Sequence, residues 1–306
     1  MLGEALLGKV NVENHDCKKT DSLVNLGKTR GGVPVTINRT VAEAERKILT
    51  GVVSPHHVAG YSGGRKSLMP GVAGLDALKV HHSAKFRPIG PAMGILEGNQ
   101  FHEEAEEAAE ISRIDFIVNV VLNSRKQLVK AVAGDLRQAW RAAVSVSESM
   151  YRIDVADLVD IVVASPGGYP KDIDLWQAQK AISSAEAIVR QGGTIILVAE
   201  CKEGFGQHTF SRFFEDTTSP RDVIDKFNRN GYEPGLSKAF MYARALERAE
   251  LILVTKSMND AELAKVYTRR ADSVEKALEI ATKNLTGGAR IAVMPHATEV
   301  LPHLAA

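Results

Sequence analysis

Four of the nine histidines fall within one 27-residue window as two adjacent pairs, His56-His57 and His81-His82, with His102 a little further on. Neutral imidazole is a good ligand for nickel, copper, zinc or iron. Neither pair has the i,i+4 spacing of a helix-face chelate, so a metal here would take one histidine from each pair across the loop between them. Neighbouring side chains on an extended strand point to opposite faces, so His56 and His57 are expected to diverge. The intervening segment, AGYSGGRKSLMPG at 59–71, has chemistry of its own. Gly60, Gly63 and Gly64 permit positive φ and close backbone approach. Exposed N–H groups ahead of a helix can cradle a phosphate, and Arg65, Lys66 and Ser67 add two charges and a hydroxyl. The spacing is not that of the phosphate loop GxxxxGK[ST]. Counting from Gly60, Arg65 stands where that motif requires its second glycine.

A second cluster is SPGGYPKDIDLWQAQKA at 165–181, a glycine pair after an apolar run and before a helical pattern. In open parallel sheets this strand-to-helix crevice is where ligands bind. Trp176, Gln177 and Lys180 share about one helical turn and can face the crevice together. AECKEGFGQHTF at 199–210 is a third glycine-rich segment of the same kind.

The elements that must carry these residues follow from the apolar runs. GVPVTIN (32–38) and 48–53 read as strands, with a helix predicted over 41–49 between them. FIVNVVLN (116–123) and QLVKAVAG (127–134) read as paired strands, followed by a helix over 135–150 with Asp135 as its N-cap. A helix is also expected to start at Arg65-Lys66-Ser67. Beyond residue 160 the rhythm is regular. Runs at 160–166, 194–200, 251–256 and 290–295 alternate with helical stretches at 174–190, 220–230, 236–249 and 272–285. Nearly continuous Val/Ile/Leu runs alternating with helices predict a largely parallel sheet covered on both faces.

Composition narrows the function. Three hundred and six residues suggest two domains. Lys plus Arg number 38 against 37 Asp plus Glu, and aromatics are 6%, so there is no basic field or stacking platform for nucleic acid. Cys17 and Cys201 form neither a disulfide framework nor a CxxC zinc spacing, and a cytoplasmic home is expected. Residues 1–10 lack the apolar core of a signal peptide. No run approaches the ~18 apolar residues that span a bilayer.

Taken together, PHHVAGYSGGRKSLMPGVAG (55–74) and the HHS at 81–83 resemble the nickel-dependent lactate racemase family. SPGGYP…WQAQKA, the following GGTIILVAE and the Asn14-His15-Asp16 segment match it in the same order. The resemblance covers essentially the whole chain. Its most specific feature is a histidine ten residues before Lys66 and another sixteen after it.

The resemblance implies an α/β fold. Two α/β domains with mainly parallel sheets, here 1–153 and 154–306 with the second Rossmann-like, would enclose the active site in the interdomain cleft. It implies a nickel-pincer nucleotide: the Ni(II) complex of a pyridinium-3-thioamide-5-thiocarboxylic acid mononucleotide, covalently attached at Lys66. Ser62, Gly63, Gly64 and Arg65 would complete its cradle, and His82 would be the metal ligand. His56 would be a catalytic histidine exchanging a proton with the substrate hydroxyl. Lys180 would hold the carboxylate, with Gln177 and Trp176 beside it; Trp176 replaces a tyrosine common in the family. The implied reaction is racemisation or epimerisation of a 2-hydroxy acid by reversible hydride transfer through a 2-oxo acid. Cofactor-biosynthesis proteins would be partners, and nucleic acid and membrane would not.

The family pattern also has about a hundred residues ahead of Asn14-His15-Asp16, carrying an Asp-x-x-Arg motif and a second catalytic histidine in a His-Arg-Pro context. This sequence holds neither. The expectation is an exposed apolar face or strand edge in the first half, met by a separate N-terminal segment or by homo-oligomerisation. The alternative reading is a truncated, catalytically inactive cofactor-binding fragment or subunit.

Overall fold

The computed structural model describes residues 8–88, 90–230, 236–283 and 285–305. In the first half, Leu23–Lys28 (β1) and Pro34–Asn38 (β2) form an antiparallel pair, and Arg39–Glu43 (α1) follows. Ile48–Val52 (β3) leads into the short ladder of Pro55–His56 (β4) with Gly60–Tyr61 (β5). Leu75–His81 (α2) and Gln100–Ile111 (α3) precede Phe116–Leu122 (β6), Leu128–Gly134 (β7) and Leu136–Tyr151 (α4). Strand β6 lies between β3, parallel to it, and β7, antiparallel. Helix α4 begins where Asp135 accepts from the Arg137 and Gln138 N–H groups, each at 2.9 Å. Its Leu136, Trp140, Ala143 and Val144 fall on one helical face and pack into a core with Leu49, Ile117 and Val121.

Side chains alternate along a strand, and the other face of this sheet is bare. Ile48, Val52, Phe116 and Val118 are 58%, 42%, 40% and 41% exposed. The apolar face expected in this half is present.

The second half runs through Arg152–Val155 (β8), Val159–Ala164 (β9), Leu175–Ala178 (α5), Lys180–Ile188 (α6) and Val189–Val198 (β10). Helices His208–Arg212 (α7), Pro220–Asn230 (α8) and Leu236–Arg248 (α9) follow. Ala249–Val254 (β11), Asp260–Ala264 (α10), Arg269–Ala271 (β12), Val274–Thr282 (α11), Ile291–Met294 (β13) and Leu301–Leu304 (β14) complete it. Strands β12-β11-β10-β9-β13 form one all-parallel sheet. On one face Ile161, Val163, Ile196 and Ile252 pack with Ala277 of α11. On the other, Val162, Ile195, Leu197 and Leu253 pack with residues of α6 and α9. The mainly parallel α/β architecture expected from the apolar runs is the one found.

The halves interlock. Val58, Ala59 and Phe101 pack into the core of the second half, and Leu301 into that of the first. Part-buried Arg244 pairs with buried Glu186 at 2.7 Å and donates to the Gly90 carbonyl at 2.8 Å, tying the loop before α3 to α6 and α9. Removing one member of such a buried pair strands the other charge, so this link resists being loosened.

Several elements differ from their sequence expectation. Helix α1 stops at Glu43, and Ala44 is already extended, because Ile48 is taken by the ladder with Phe116. The helix expected at Arg65 is a single 3-10 turn, Gly64–Ser67. Pro70 has no N–H to bond the Lys66 carbonyl, and Gly71 supplies it instead at 3.1 Å. The helix expected over 174–190 is divided at Gln179 and ends at Ile188, with β10 starting at Val189 and slipping register before Thr194.

Candidate active site

The glycine loop is held from behind. The Ser62 hydroxyl donates to the Val52 carbonyl at 2.7 Å and accepts from the Ser54 N–H at 3.0 Å, joining the loop to the end of β3. Gly63 and Gly64 both have positive φ. A Cβ at Gly64 would lie 2.7 Å from the Trp140 ring, and one at Gly63 2.6 Å from Asn119 Oδ1. Three loop N–H groups are already used: Ser62 to the Ser54 carbonyl, Gly64 to Asn119 Oδ1 at 2.7 Å, and Lys66 to the Gly63 carbonyl. The open phosphate cradle suggested by the glycines is therefore largely closed. Arg65 is also turned inward. It is 1% exposed, stands 3.9 Å over the Trp140 ring and donates to the Ala59 carbonyl at 2.8 Å. The loop's internal bonds thus brace one group, the half-buried Lys66 ammonium. Burial, with a smaller contribution from Arg65, lowers its pKa to about 7.

The histidines separate into structural and exposed roles. His81 is fully buried, against Phe101 and within 2.8 Å of its carbonyl oxygen. His102 is buried beside Trp140. His15 bonds the Ala73 carbonyl and braces β2 through Asn38. His56, His57 and His82 remain half-buried. The divergence expected of His56 and His57 does not occur. The chain leaves β4 after His56, and the two rings stack with centroids 4.4 Å apart and planes at 17°. His56 Nδ1 accepts from the Val58 and Ala59 N–H groups at 3.2 and 3.1 Å, so the neutral ring carries its proton on Nε2. His82 follows α2 with Nδ1 3.2 Å from the Leu78 carbonyl.

These groups share one electrostatic environment. Burial holds His56 well below the usual imidazole pKa, followed by the charges of His57, Lys66, Arg65 and His82. Burial and then Lys66, Lys238, Arg87 and Lys180 push His57 down to about 3. His82 is lowered by burial first, then by His81, Arg87 and Lys66, with the Leu78 carbonyl opposing. Near neutral pH all three are neutral imidazoles facing cations from both halves of the chain.

From the second half, α5 starts beyond the end of β9, with Asp174 accepting from the Gln177 N–H at 2.6 Å. Lys180 Nζ donates to Gln177 Oε1 at 2.7 Å. Trp176 sits edge-on to Phe210. The predicted trio of Trp176, Gln177 and Lys180 is split between α5 and α6 at Gln179, and Gln177 and Lys180 meet through their hydrogen bond. A cavity of about 220 Å³ between the halves is lined by Gln177, Lys180 and Lys171 on one side and Ser54, Asn123 and Lys126 on the other.

Lys238 and Arg87 were not singled out in the sequence. Lys238 Nζ lies 4.5 Å over the Trp176 ring and donates to the Trp176 carbonyl at 2.7 Å. Its signal was a lysine within the buried face of a helix, between Leu236 and Ala239-Phe240. Arg87 gives no such signal; it follows a turn and donates to the His82 carbonyl at 3.1 Å.

Among the described residues no three His, Cys, Asp or Glu side chains cluster to hold a metal ion. A metal at His82 would need further donors from a bound group, and the neutral imidazole and the weakly basic amine of Lys66 are compatible with one that brings its own sulfur ligands. No helix among the described residues is long and apolar enough to cross a membrane.

Comparison with known proteins places these observations. Residues 1–94 match the lactate racemase N-terminal domain family and residues 155–301 the lactate racemase C-terminal domain family. The lactate racemase of Thermoanaerobacterium thermosaccharolyticum is 32% identical over 304 residues, covering 98% of this chain and 71% of the relative. That of Lactiplantibacillus plantarum is 30% identical over 303 residues, with the same shares. The apoprotein structure of the T. thermosaccharolyticum lactate racemase superposes with a TM-score of 0.89, covering 94% of this chain and 70% of that one. A Thermotoga maritima protein, 17% identical, shares the fold with a TM-score of 0.67 over 96% of this chain and 78% of its own. The chain belongs to the lactate racemase family.

Proposed function

We propose that the chain is a racemase or epimerase of 2-hydroxy acids that carries a nickel-pincer nucleotide on Lys66, with the interdomain cleft between 1–153 and 154–306 as its active site. One observation carries the reading. His56 stacks on His57, Lys180 of the second half bonds Gln177 at the interdomain cavity, and Lys66, His82 and Lys180 all lie near enough for their charges to bear on the His56-His57 pair.

Each residue has work suited to its surroundings. With a pKa near 7, Lys66 is substantially an uncharged amine at neutral pH, the form that makes a covalent amide-type link. His82, kept neutral by burial, offers an imidazole lone pair to the nickel. When bound, the nucleotide supplies the acceptor and donor for the substrate's α-hydrogen. Lys180 holds the substrate carboxylate as a point charge, oriented by Gln177. His56 holds the proton exchanged with the substrate oxygen. Its backbone contacts keep a proton on Nε2, from which the neutral ring hydrogen-bonds the substrate oxygen; taking up the hydroxyl proton there requires the Nδ1–H tautomer, with the Val58 and Ala59 contacts released, and the imidazolium so formed returns that proton to the oxygen of the 2-oxo acid. Trp176 walls the site. Proteins that synthesise and load the cofactor are the expected partners, and the free thiols of Cys17 and Cys201 fit a reducing cytoplasm.

The test is to incubate the cofactor-loaded chain with one enantiomer of a 2-hydroxy acid and follow the other by chiral chromatography. Appearance of the second enantiomer, lost in His56→Ala and Lys180→Ala, is expected. Nickel retained with no turnover would overturn the racemase reading in favour of a catalytically silent cofactor-binding part. His82→Ala should lower bound nickel, and unchanged nickel would remove His82 from its role.

A further inference from the structure

The racemase reading leaves two buried polar side chains near His56 without a task, Asn99 and Arg65. His56 Nδ1 accepts from the consecutive N–H groups of Val58 and Ala59. What fixes those N–H groups decides how firmly the ring is held. The Ala59 N–H shares one planar peptide unit with the Val58 carbonyl, and that carbonyl accepts from Asn99 Nδ2 at 2.8 Å. The next peptide unit is held in turn, because the Ala59 carbonyl accepts from Arg65 Nη2 at 2.8 Å. Both flanks of Ala59 are therefore clamped, one from the start of α3 and one from the glycine loop.

Each clamp is itself anchored. Asn99 caps α3, its Oδ1 accepting the His102 N–H at 3.3 Å, and its Nδ2 also donates to the Ile95 carbonyl at 3.0 Å. The Arg65 guanidinium lies on the Trp140 ring, and Trp140 Nε1 donates to the Ser62 carbonyl at 2.9 Å. Glu106, the acid whose charge bears on Arg65, pairs with Arg137 instead. Arg65 thus spends its donors on the carbonyls of its own loop, Ala59 and Gly63. A ring nitrogen that accepts a hydrogen bond does not carry the proton, so the backbone contacts choose the tautomer. Side chains that fix that backbone choose it at one remove. We propose that Asn99 and Arg65 are positioning residues for proton exchange, holding the His56 ring in the orientation and tautomer that leave Nε2 free for the substrate oxygen. The contacts open when the ring takes up a proton, and the clamped backbone is what the ring returns to. The inference rests on the reading of His56 as the proton-exchanging residue. It replaces the cradle role expected of Arg65. Because Arg65 immediately precedes Lys66, the same brace keeps the ring in register with the cofactor anchor.

The experiment reads the His56 tautomer in the cofactor-free chain and turnover in the loaded one. With isotope-labelled histidine, two-bond proton–nitrogen NMR correlations distinguish the protonated ring nitrogen from the bare one, and His56 is assigned by its loss in His56→Ala. Asn99→Ser keeps a good helix cap but has no amide to hold the Val58 carbonyl. Arg65→Lys keeps the charge but loses the planar fork. The wild type should hold His56 in the Nε2–H form near neutral pH. Each variant should raise the Nδ1–H share at least threefold. In the loaded chain each should lower kcat at least tenfold with KM within twofold, since neither residue touches the substrate. A wild-type ring protonated on Nδ1 overturns the inference. So does an unchanged tautomer in folded Asn99→Ser, which leaves Asn99 a helix cap alone and decides the matter even where Arg65→Lys does not fold. Loss of the covalent cofactor adduct in Arg65→Lys, with the tautomer unchanged, would overturn it and return Arg65 to the cradle. A shifted tautomer with undiminished turnover would overturn the link to catalysis and remove His56 from proton exchange. Absence of turnover by the loaded wild type, with the tautomer shifted in both variants, would sink the racemase reading and support the brace.

Discussion

The two sheets differ in what covers them. In the second half, β9 and β10 have packed layers on both faces, with Ile161 and Ile196 on one side and Val162 and Ile195 on the other, all at 0% exposure. In the first half, α4 covers only one face of β3-β6-β7, while Phe116 and Val118 stand on the uncovered one. Both sheets feed loops into the same cleft. The doubly covered sheet presents α5 and, at the start of α6, Lys180 on a platform fixed from both sides. The half-covered sheet secures its glycine loop locally instead, through Asn119, Trp140 and Ser62. An apolar face without a layer over it is a surface built to be covered, whereas the same residue types in β9 are consumed in the core.

The largest effect should come from emptying the covered sheet. Ile161→Ala should cost about 2–5 kcal/mol in urea denaturation; a cost below that of a surface change would mean β9 is not doubly packed. Gly64→Ala should destabilise by about 1–3 kcal/mol, because the position has φ of 53° and Trp140 fills the space for a Cβ. A neutral result would show that the half-covered sheet does not grip its loop. A pH series reports on the cleft. The folded pKa of Lys66 lies below its unfolded value, so the unfolded chain binds more protons between them and stability rises with pH from about 7 toward 10.5. Above about 9 the Cys201 thiol, held up near 12 by burial, opposes that gain, because the unfolded thiol ionises first. Over pH 7–9 wild type should therefore gain more stability than Lys66→Met, and parallel profiles would place the amine in water. The smallest effect belongs to the bare face. Phe116→Thr and Val118→Thr should change stability by no more than about 0.5 kcal/mol while reducing binding of the dye ANS. A large loss of stability, or no ANS binding by the wild type, would show the face to be covered.

Legibility in the sequence followed the same division. The parallel sheet could be read because burial on both faces demands nearly unbroken Val/Ile/Leu runs, and helices α8, α9 and α11 followed from their periodicity. Helix α3 went unread because half of its buried residues are alanine (105, 108 and 109) in a helix with five glutamates; the Asn99 cap was its clearest sign. Strand β1 is short and partly polar, and β8 and β14 are short and are set by pairing with each other across about 150 residues. At the site, Lys66, His82, Gln177 and Lys180 stood out by type and spacing. The inward turn of Arg65 did not, because it depends on Trp140, 75 residues away. The stacking of His56 on His57 depends on β4 lasting only two residues.

The central claim is that the Lys66 amine anchors the nucleotide while His82, across the same cleft, meets its metal. Intact-mass measurement of the chain after exposure to the cofactor and its loading proteins tests this directly. The wild type should carry the nucleotide's added mass through denaturation, and Lys66→Ala should not. The same adduct on Lys66→Ala would contradict the account.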